Sequence, residues 1–259
     1  MPETSEFAPG SFCWVDSGTD DLEKAKAFYA ALFGWEYVTA DDSGYTMCLR
    51  KGRPVAGLYP FDQDMIAMGA TPYWLAYVAV ADADAALAAA TAAGAQPISP
   101  VFDVPNHGRG AAFAGPAGAL CGIFQPGGHR GFGLAGEPGT AVWCELQTGD
   151  VEAAATFYAA VFGWRREAMP MADGPYYLFT SGEEQRAGMM ANTPAMGEMP
   201  PNWQVYFQVD DADAALATAR ASGGASLVPV TPIETVGRFA ALSSADGARF
   251  SILQPAPMG

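Results

Sequence analysis

The chain contains itself twice. WVDSGTDDLEKAKAFYAALFGWE at 14–36 returns as WCELQTGDVEAAATFYAAVFGWR at 143–165, and a match of that length at one long interval marks a duplicated folding unit. The spacing, 143 − 14 = 129, holds at Trp74 and Trp203, Gly108-Arg109 and Gly237-Arg238, Gly118 and Gly247, and Gln125-Pro126 and Gln254-Pro255. It slips by two residues at Ala56-Gly57 against Ala187-Gly188. That slip predicts a longer hairpin in the second half, compensated by a shorter loop before Trp203. The 259 residues therefore divide into two domains of ordinary size, 1–126 and 140–259. Between them GGHRGFGLAGEPG, residues 127–139, reads as a flexible linker from its glycines and prolines.

Each half has the same internal order. The strand-like FCWVDSG leads into Asp20-Asp21, which can cap a helix carrying Leu22, Ala25, Phe28, Tyr29, Leu32 and Phe33 at helical spacing until Gly34 stops it. Strand-like pieces follow at 36–40, 45–50 and 54–59, separated by DDSG and KGRP turns. The order then restarts with YWLAYVAV, a helix from Asp82 through Ala92 ended by Gly94, and strands near 97–102, 109–114 and 119–125. A half is thus strand, helix and three strands, twice over.

Composition narrows the function. Hydrophobic residues at 50% against 16% charged describe a globular chain with a real core. Lys and Arg number 13 against 28 Asp and Glu, a net charge of −15 that repels phosphate backbones and anionic lipid and so argues against nucleic acid and membrane as partners. The start MPETSEFAPG lacks the pattern of a secretory signal, and the longest apolar stretch is broken by Asp82 and Asp84; these features predict a cytoplasmic protein, monomer or homodimer. Cys13, Cys48, Cys121 and Cys144 stand singly in strand-like segments, as buried reduced thiols do. No P-loop, GxSxG or HExxH is present, and no GxGxxG follows a strand and opens a helix, so nucleotide cofactors and the common hydrolase mechanisms have no support.

The module order, together with DLEKAKAFYAALFGW and DVEAAATFYAAVFGW near the start of each half and GALCGIFQP and GARFSILQP at its end, resembles the vicinal-oxygen-chelate superfamily of glyoxalases, bleomycin-resistance proteins and extradiol dioxygenases. The resemblance implies an α+β fold of tandem βαβββ modules forming two open-barrel domains around ligand cavities. It also implies where metal ligands would stand in metal-using members: on the first strand of a module, here Trp14, Leu75, Trp143 and Gln204, and on the last, here Gly122 and Ser251. None is His, Asp or Glu, and a lone glutamine amide cannot replace the converging imidazole, carboxylate or thiolate donors that a divalent metal needs. The expectation is therefore no metal and no other cofactor. His107 and His129, the two histidines, sit in loop-like sequence and read as solvated polar residues.

Period-two alternation assigns the cavity faces. The first shows Trp14, Asp16, Leu75, Tyr77, Ala79, Leu120, Gly122 and Phe124, an apolar aromatic surface with one carboxylate. The second shows Trp143, Glu145, Gln147, Gln204, Tyr206, Gln208, Arg249, Ser251 and Leu253 and is more polar. Asp16 and Glu145 suit acid–base chemistry if walled by aromatic rings, or serve as structural ions paired with Arg109, Arg238 or Arg249. Trp14 and Trp143 either stack on a planar ligand or fill space. Arg109 and Arg238 either meet a ligand anion or tie a strand to an acidic helix start. These residues suggest a metal-free binder of an aromatic or apolar small molecule. The alternative is a lyase, isomerase or oxygenative helper acting on a secondary metabolite, with Glu145 or Asp16 as base and Tyr206 or Arg249 steadying an enolate. The richer polar set predicts that the second half carries any chemistry.

Overall fold

The computed structural model describes residues 7–39, 44–170, 174–192 and 200–257. The turn expected at 41–44 and the loops expected to absorb the two-residue slip lie wholly or partly outside these residues.

The first half runs β1 (Phe12–Thr19), α1 (Leu22–Phe33), β2 (Glu36–Thr39), β3 (Thr46–Arg50) and β4 (Arg53–Pro60), a short α2 (Gln63–Ala67), then β5 (Tyr73–Ala79), α3 (Ala83–Ala92), β6 (Gln96–Pro97), β7 (Phe102–Val104), β8 (Gly108–Ala114) and β9 (Leu120–Pro126). The second runs β10 (Ala141–Thr148), α4 (Val151–Phe162), β11 (Arg165–Met169), β12 (Tyr176–Ser181), β13 (Glu184–Ala191), β14 (Asn202–Gln208), α5 (Ala212–Ala221), β15 (Ala225–Ile233), β16 (Gly237–Ser243) and β17 (Arg249–Pro255). Asp21 and Asp150 cap α1 and α4 through the backbone N–H three residues on, and Gly34 and Gly163 close them in the left-handed conformation. The sequence did not signal α2, whose Asp62 accepts from Met65 N at its first turn.

Each half builds its own open sheet. The strand order β2-β3-β4-β1-β5-β9-β8-β6, with β7 paired to β8, is matched by β11-β12-β13-β10-β14-β17-β16-β15. The two modules of a half meet where β1 runs antiparallel to β5 and β10 antiparallel to β14. This is the expected α+β arrangement of paired βαβββ modules, with both modules of a pair drawn from the same half.

The helices cover one face of each sheet, and the core runs on from one half to the other. Trp74 and Trp203 donate to the Tyr29 and Tyr158 hydroxyls of α1 and α4 at 2.9 and 2.8 Å, which places them in the core. The FGW tryptophans work across the pseudo-symmetric boundary. Trp35 Nε1 donates to Gly139 O and Trp164 Nε1 to Gly10 O, at 2.8 and 2.9 Å. Around these bonds Phe33 packs on Phe207 and Phe12 on Trp203, each with ring centroids 5.0 Å apart. The four cysteines are buried and free, and burial pushes the Cys13 thiol up to about 12.

The segment read as a flexible linker is packed instead. Phe132 N donates to Cys13 O and Gly133 N to Pro54 O, Phe132 lies against Phe7 and Trp14, and Phe132 and Leu134 are buried. Its glycines serve close approach: a Cβ on Gly131 would collide with Cys13 O. Glycine count alone does not separate the two uses.

Candidate ligand-binding site

Helix α1 reaches the sheet through Tyr29 and Trp74, so the alternate residues of β1 and β5 face the other way. On that helix-free face Trp14 pairs with Tyr77 and Asp16 with Leu75, Asp16 also lies beside Gly57 of β4, and Tyr77 lies beside Gly122. The second half repeats the register: Trp143 with Tyr206, Glu145 with Gln204 and Gly188, Tyr206 with Ser251. The structure thus gathers Trp14, Asp16 and Tyr77 in one half and Trp143, Glu145, Gln204, Tyr206 and Ser251 in the other.

Each carboxyl is completed by a tyrosine that the sequence reading missed. Trp14 Nε1 donates to the Tyr45 hydroxyl at 2.9 Å, and that hydroxyl donates to Asp16 Oδ2 at 3.5 Å. In the second half Trp143 Nε1 donates to the Tyr176 hydroxyl at 2.9 Å, and Tyr176 also hydrogen-bonds Glu145. A signal was available, since Tyr45 and Tyr176 carry the same two-residue slip as Ala56-Gly57 and Ala187-Gly188. The two features are one device: a Cβ on Gly57 would run into the Tyr45 hydroxyl, and one on Gly188 into the Tyr176 hydroxyl.

The clusters differ in how completely they are paired. Glu145 Oε1 accepts from the Tyr206 hydroxyl at 3.0 Å and Gln147 Nε2 at 3.3 Å. Asn202 Nδ2 donates to Gln147 Oε1 at 3.4 Å, and Gln204 Nε2 to Ser251 Oγ at 3.0 Å. Burial raises the Glu145 pKa, and the bonds from Tyr176, Tyr206 and Gln147 work against that rise. Asp16 is only 5% exposed, yet its Oδ1 is enclosed without a hydrogen-bond partner. Burial lifts its pKa to about 7, with bonds from Tyr77 and Tyr45 only partly opposing it. Tyr59 and Tyr73, hydroxyls 2.8 Å apart, stand close enough to feel its charge. Tyr45, Tyr59, Tyr73 and Tyr77 are each half-buried around this buried acid.

Other expected site residues lie elsewhere. Neither carboxyl is paired with an arginine among its hydrogen bonds described above. Arg109 reaches Asp84 at 2.5 Å and Asp103 at 3.1 Å, and Arg238 reaches Asp213 at 2.8 Å, outside the clusters. They tie strand starts to acidic first turns of α3 and α5. Arg249 is exposed at the start of β17, because alternation fixes its face but not how deep in the sheet it sits. Gln208 is half-buried where its backbone bonds Gly139 and Thr140. His107 is exposed, but His129 is not solvated as expected: its ring meets Trp14 edge-on at 4.5 Å, its Nε2 is enclosed without a partner, and burial, then nearby His107, lower its pKa to about 4.

A divalent metal does not fit these donors. Each cluster offers one carboxyl among phenols that burial holds neutral, and among the described residues no three His, Cys, Asp or Glu side chains converge. No helix among them is long and apolar enough to cross a membrane.

Comparison with known proteins agrees with the architecture. The chain is 40% identical over 262 residues, 99% of each chain, to CFP32 of Mycobacterium tuberculosis, provisionally named a glyoxylase. It is 32% identical over 264 residues, 96% of this chain and 95% of the other, to the anthracycline biosynthesis protein DnrV of Streptomyces peucetius. Among solved structures, the Mn(II)-bound glyoxalase from Novosphingobium aromaticivorans superposes with a TM-score of 0.64 at 20% identity, over 96% of this chain and 83% of that one. The 2,3-dioxygenase LapB from Pseudomonas sp. KL28 does so with a TM-score of 0.64 at 14% identity, over 95% and 94%. Residues 12–123 and 140–252 each match the Glyoxalase/Bleomycin resistance protein/Dioxygenase superfamily, and the chain belongs to that superfamily.

Proposed function

We propose that this protein binds an aromatic small molecule of the secondary-metabolite class without a metal. The observation that carries the reading is the duplicated cluster in which a tryptophan, two tyrosines and one buried carboxyl share the helix-free face of each sheet. The half-buried rings of these faces, Trp143 with Tyr45, Tyr77 and Tyr176, offer flat apolar area beside a few fixed polar groups, which is how proteins hold planar ligands. The likeness to an anthracycline biosynthesis protein over nearly the full length supports that ligand class. Emodin, a hydroxylated anthraquinone, is a suitable probe. Tryptophan fluorescence should be quenched on its addition, with the same affinity in chelator and in added Mn²⁺, Ni²⁺ or Zn²⁺. Binding that appears only with metal would overturn the reading.

One observation favours a second reading, an enzyme with a carboxyl acid–base. A carboxyl with a pKa near 7 can both give and take a proton at neutral pH. Mass spectrometric detection of a converted product after incubation with hydroxylated anthraquinones, lost in Asp16→Asn, decides in favour of this reading over binding alone.

A further inference from the structure

We propose that the working site is the Asp16 cluster of the first half, and that it takes a neutral planar aromatic ligand bearing a carbonyl oxygen, which accepts a hydrogen bond from the Asp16 carboxylic acid through Oδ1. This rests on the proposed binding function and assigns its half, its polar contact and its ligand class.

The geometry separates the halves. In the second half, Glu145 is held by Tyr176, Tyr206 and Gln147, and Gln204 and Ser251 satisfy each other. A ligand arriving there must break bonds already made. In the first half, Leu75 and Gly122 stand where Gln204 and Ser251 stand in the second, and Asp16 Oδ1 is left with no partner. An unmatched buried polar atom is a cost to the free protein, so a ligand that supplies the partner recovers energy the free protein lacks.

The surroundings select the ligand. The titratable groups that feel Asp16 are Tyr45 and Cys48 from β3 and its approach, Tyr59 from β4, and Tyr73 and Tyr77 from β5, and burial pushes every one of their pKa values up. These groups are neutral near pH 7; among the described residues Lys26 of α1 acts on Cys48, but no cation acts on Asp16 itself to help hold a carboxylate or phosphate. Burial also favours the protonated form of Asp16 up to about pH 7. A neutral acid has one proton to donate, and its match is an uncharged acceptor such as an aryl ketone or quinone oxygen. The half-buried tyrosine rings supply the flat walls.

The test compares 1-acetonaphthone, a neutral aryl ketone, with 1-naphthoate, its carboxylate counterpart, by calorimetric titration of the full chain. Expected is binding of the ketone with little binding of the carboxylate at pH 6.0, where Asp16 keeps its proton, and weakening of ketone binding as pH rises through about 7. Asp16→Ala should weaken the ketone roughly tenfold, Asp16→Asn should retain most of the affinity because its amide still donates, and Glu145→Gln should weaken it less than Asp16→Ala does. Circular dichroism melts verify that each variant is folded. If the ketone binds equally to wild type and Asp16→Ala, or if 1-naphthoate binds as tightly, this assignment fails while the binding function stands. If neither probe binds at millimolar concentration but emodin does, the ligand class is wrong. If no aromatic probe binds, both proposals fall.

Discussion

The two halves share a frame and differ in what they leave unfinished. Both place an indole against a tyrosine hydroxyl and that tyrosine against a buried carboxyl. Around Glu145 the amides of Gln147, Asn202 and Gln204 and the hydroxyl of Ser251 close the network; around Asp16 the neighbours are phenols, and one oxygen stays orphaned. Trp14 is covered by the packed 127–139 segment through His129 and Phe132. Trp143 is half-buried and lines a cleft of about 290 Å³ with residues of both halves, among them Phe12 and Arg186. The half with more polar groups is therefore the more fully paired one. Side chains that satisfy each other offer a ligand little, whereas a sparse site with one unmatched acid offers it a defined contact.

The largest expected effect tests what the halves share. Trp35→Ala and Trp164→Ala each remove a buried indole and its cross-boundary bond, and each should cost ~3–5 kcal/mol in urea denaturation. Equal losses support a symmetric joint, and a large inequality would show that one contact dominates.

A second measurement exposes the difference. The folded-state pKa of Asp16 is raised to about 7 from the 3.8 of an aspartate in water, so stability from its protonated form is present in full below about pH 4 and is lost as pH rises through 7. Asp16→Asn removes that dependence. Its stability relative to wild type should improve by ~2–4 kcal/mol between pH 4 and pH 8. Glu145→Gln should show the same sign, since burial raises that pKa too, tempered by the amide and phenol bonds the carboxylate receives. A steeper pH response in Glu145→Gln would reverse the comparison drawn above.

Gly57→Ala and Gly188→Ala sharpen it on a smaller scale. Each would push a tyrosine hydroxyl off its tryptophan and should cost about 1–3 kcal/mol by thermal melting. Only Gly57→Ala should also weaken aromatic ligand binding. The smallest effect is reserved for Arg109→Ala and Arg238→Ala, whose ion pairs lie at the surface. Neither should move the melting midpoint beyond replicate scatter in 0.5 M salt, nor alter ligand binding.

The repeat, the module order, the helix caps and the sheet faces were all legible because they depend on local chemistry and on period. Asp16 and Glu145 were found that way, as acids on first-strand positions that face away from the helices. The tyrosine partners escaped because they come from the hairpin where the repeat slips, and pattern reading within one strand says nothing about which ring another strand lays over it. Arg249 was placed in a cavity by face alone, and depth decided otherwise; for Arg109 and Arg238 the sequence left open a ligand anion or an acidic helix start, and the structure pairs them with Asp84, Asp103 and Asp213.

What the sequence determined by itself is the duplicated α+β fold, the superfamily and the absence of a donor set for a family-type metal at the six expected strand positions, because each follows from residue identity and spacing. Tertiary structure alone decided that modules pair within a half, that 127–139 packs over Trp14, and that Asp16 rather than Glu145 keeps an unmatched oxygen. The reason is physical. Periodicity fixes which way a side chain points, but a hydrogen bond needs a partner within about 3 Å, and that partner arrives from a strand tens of residues away.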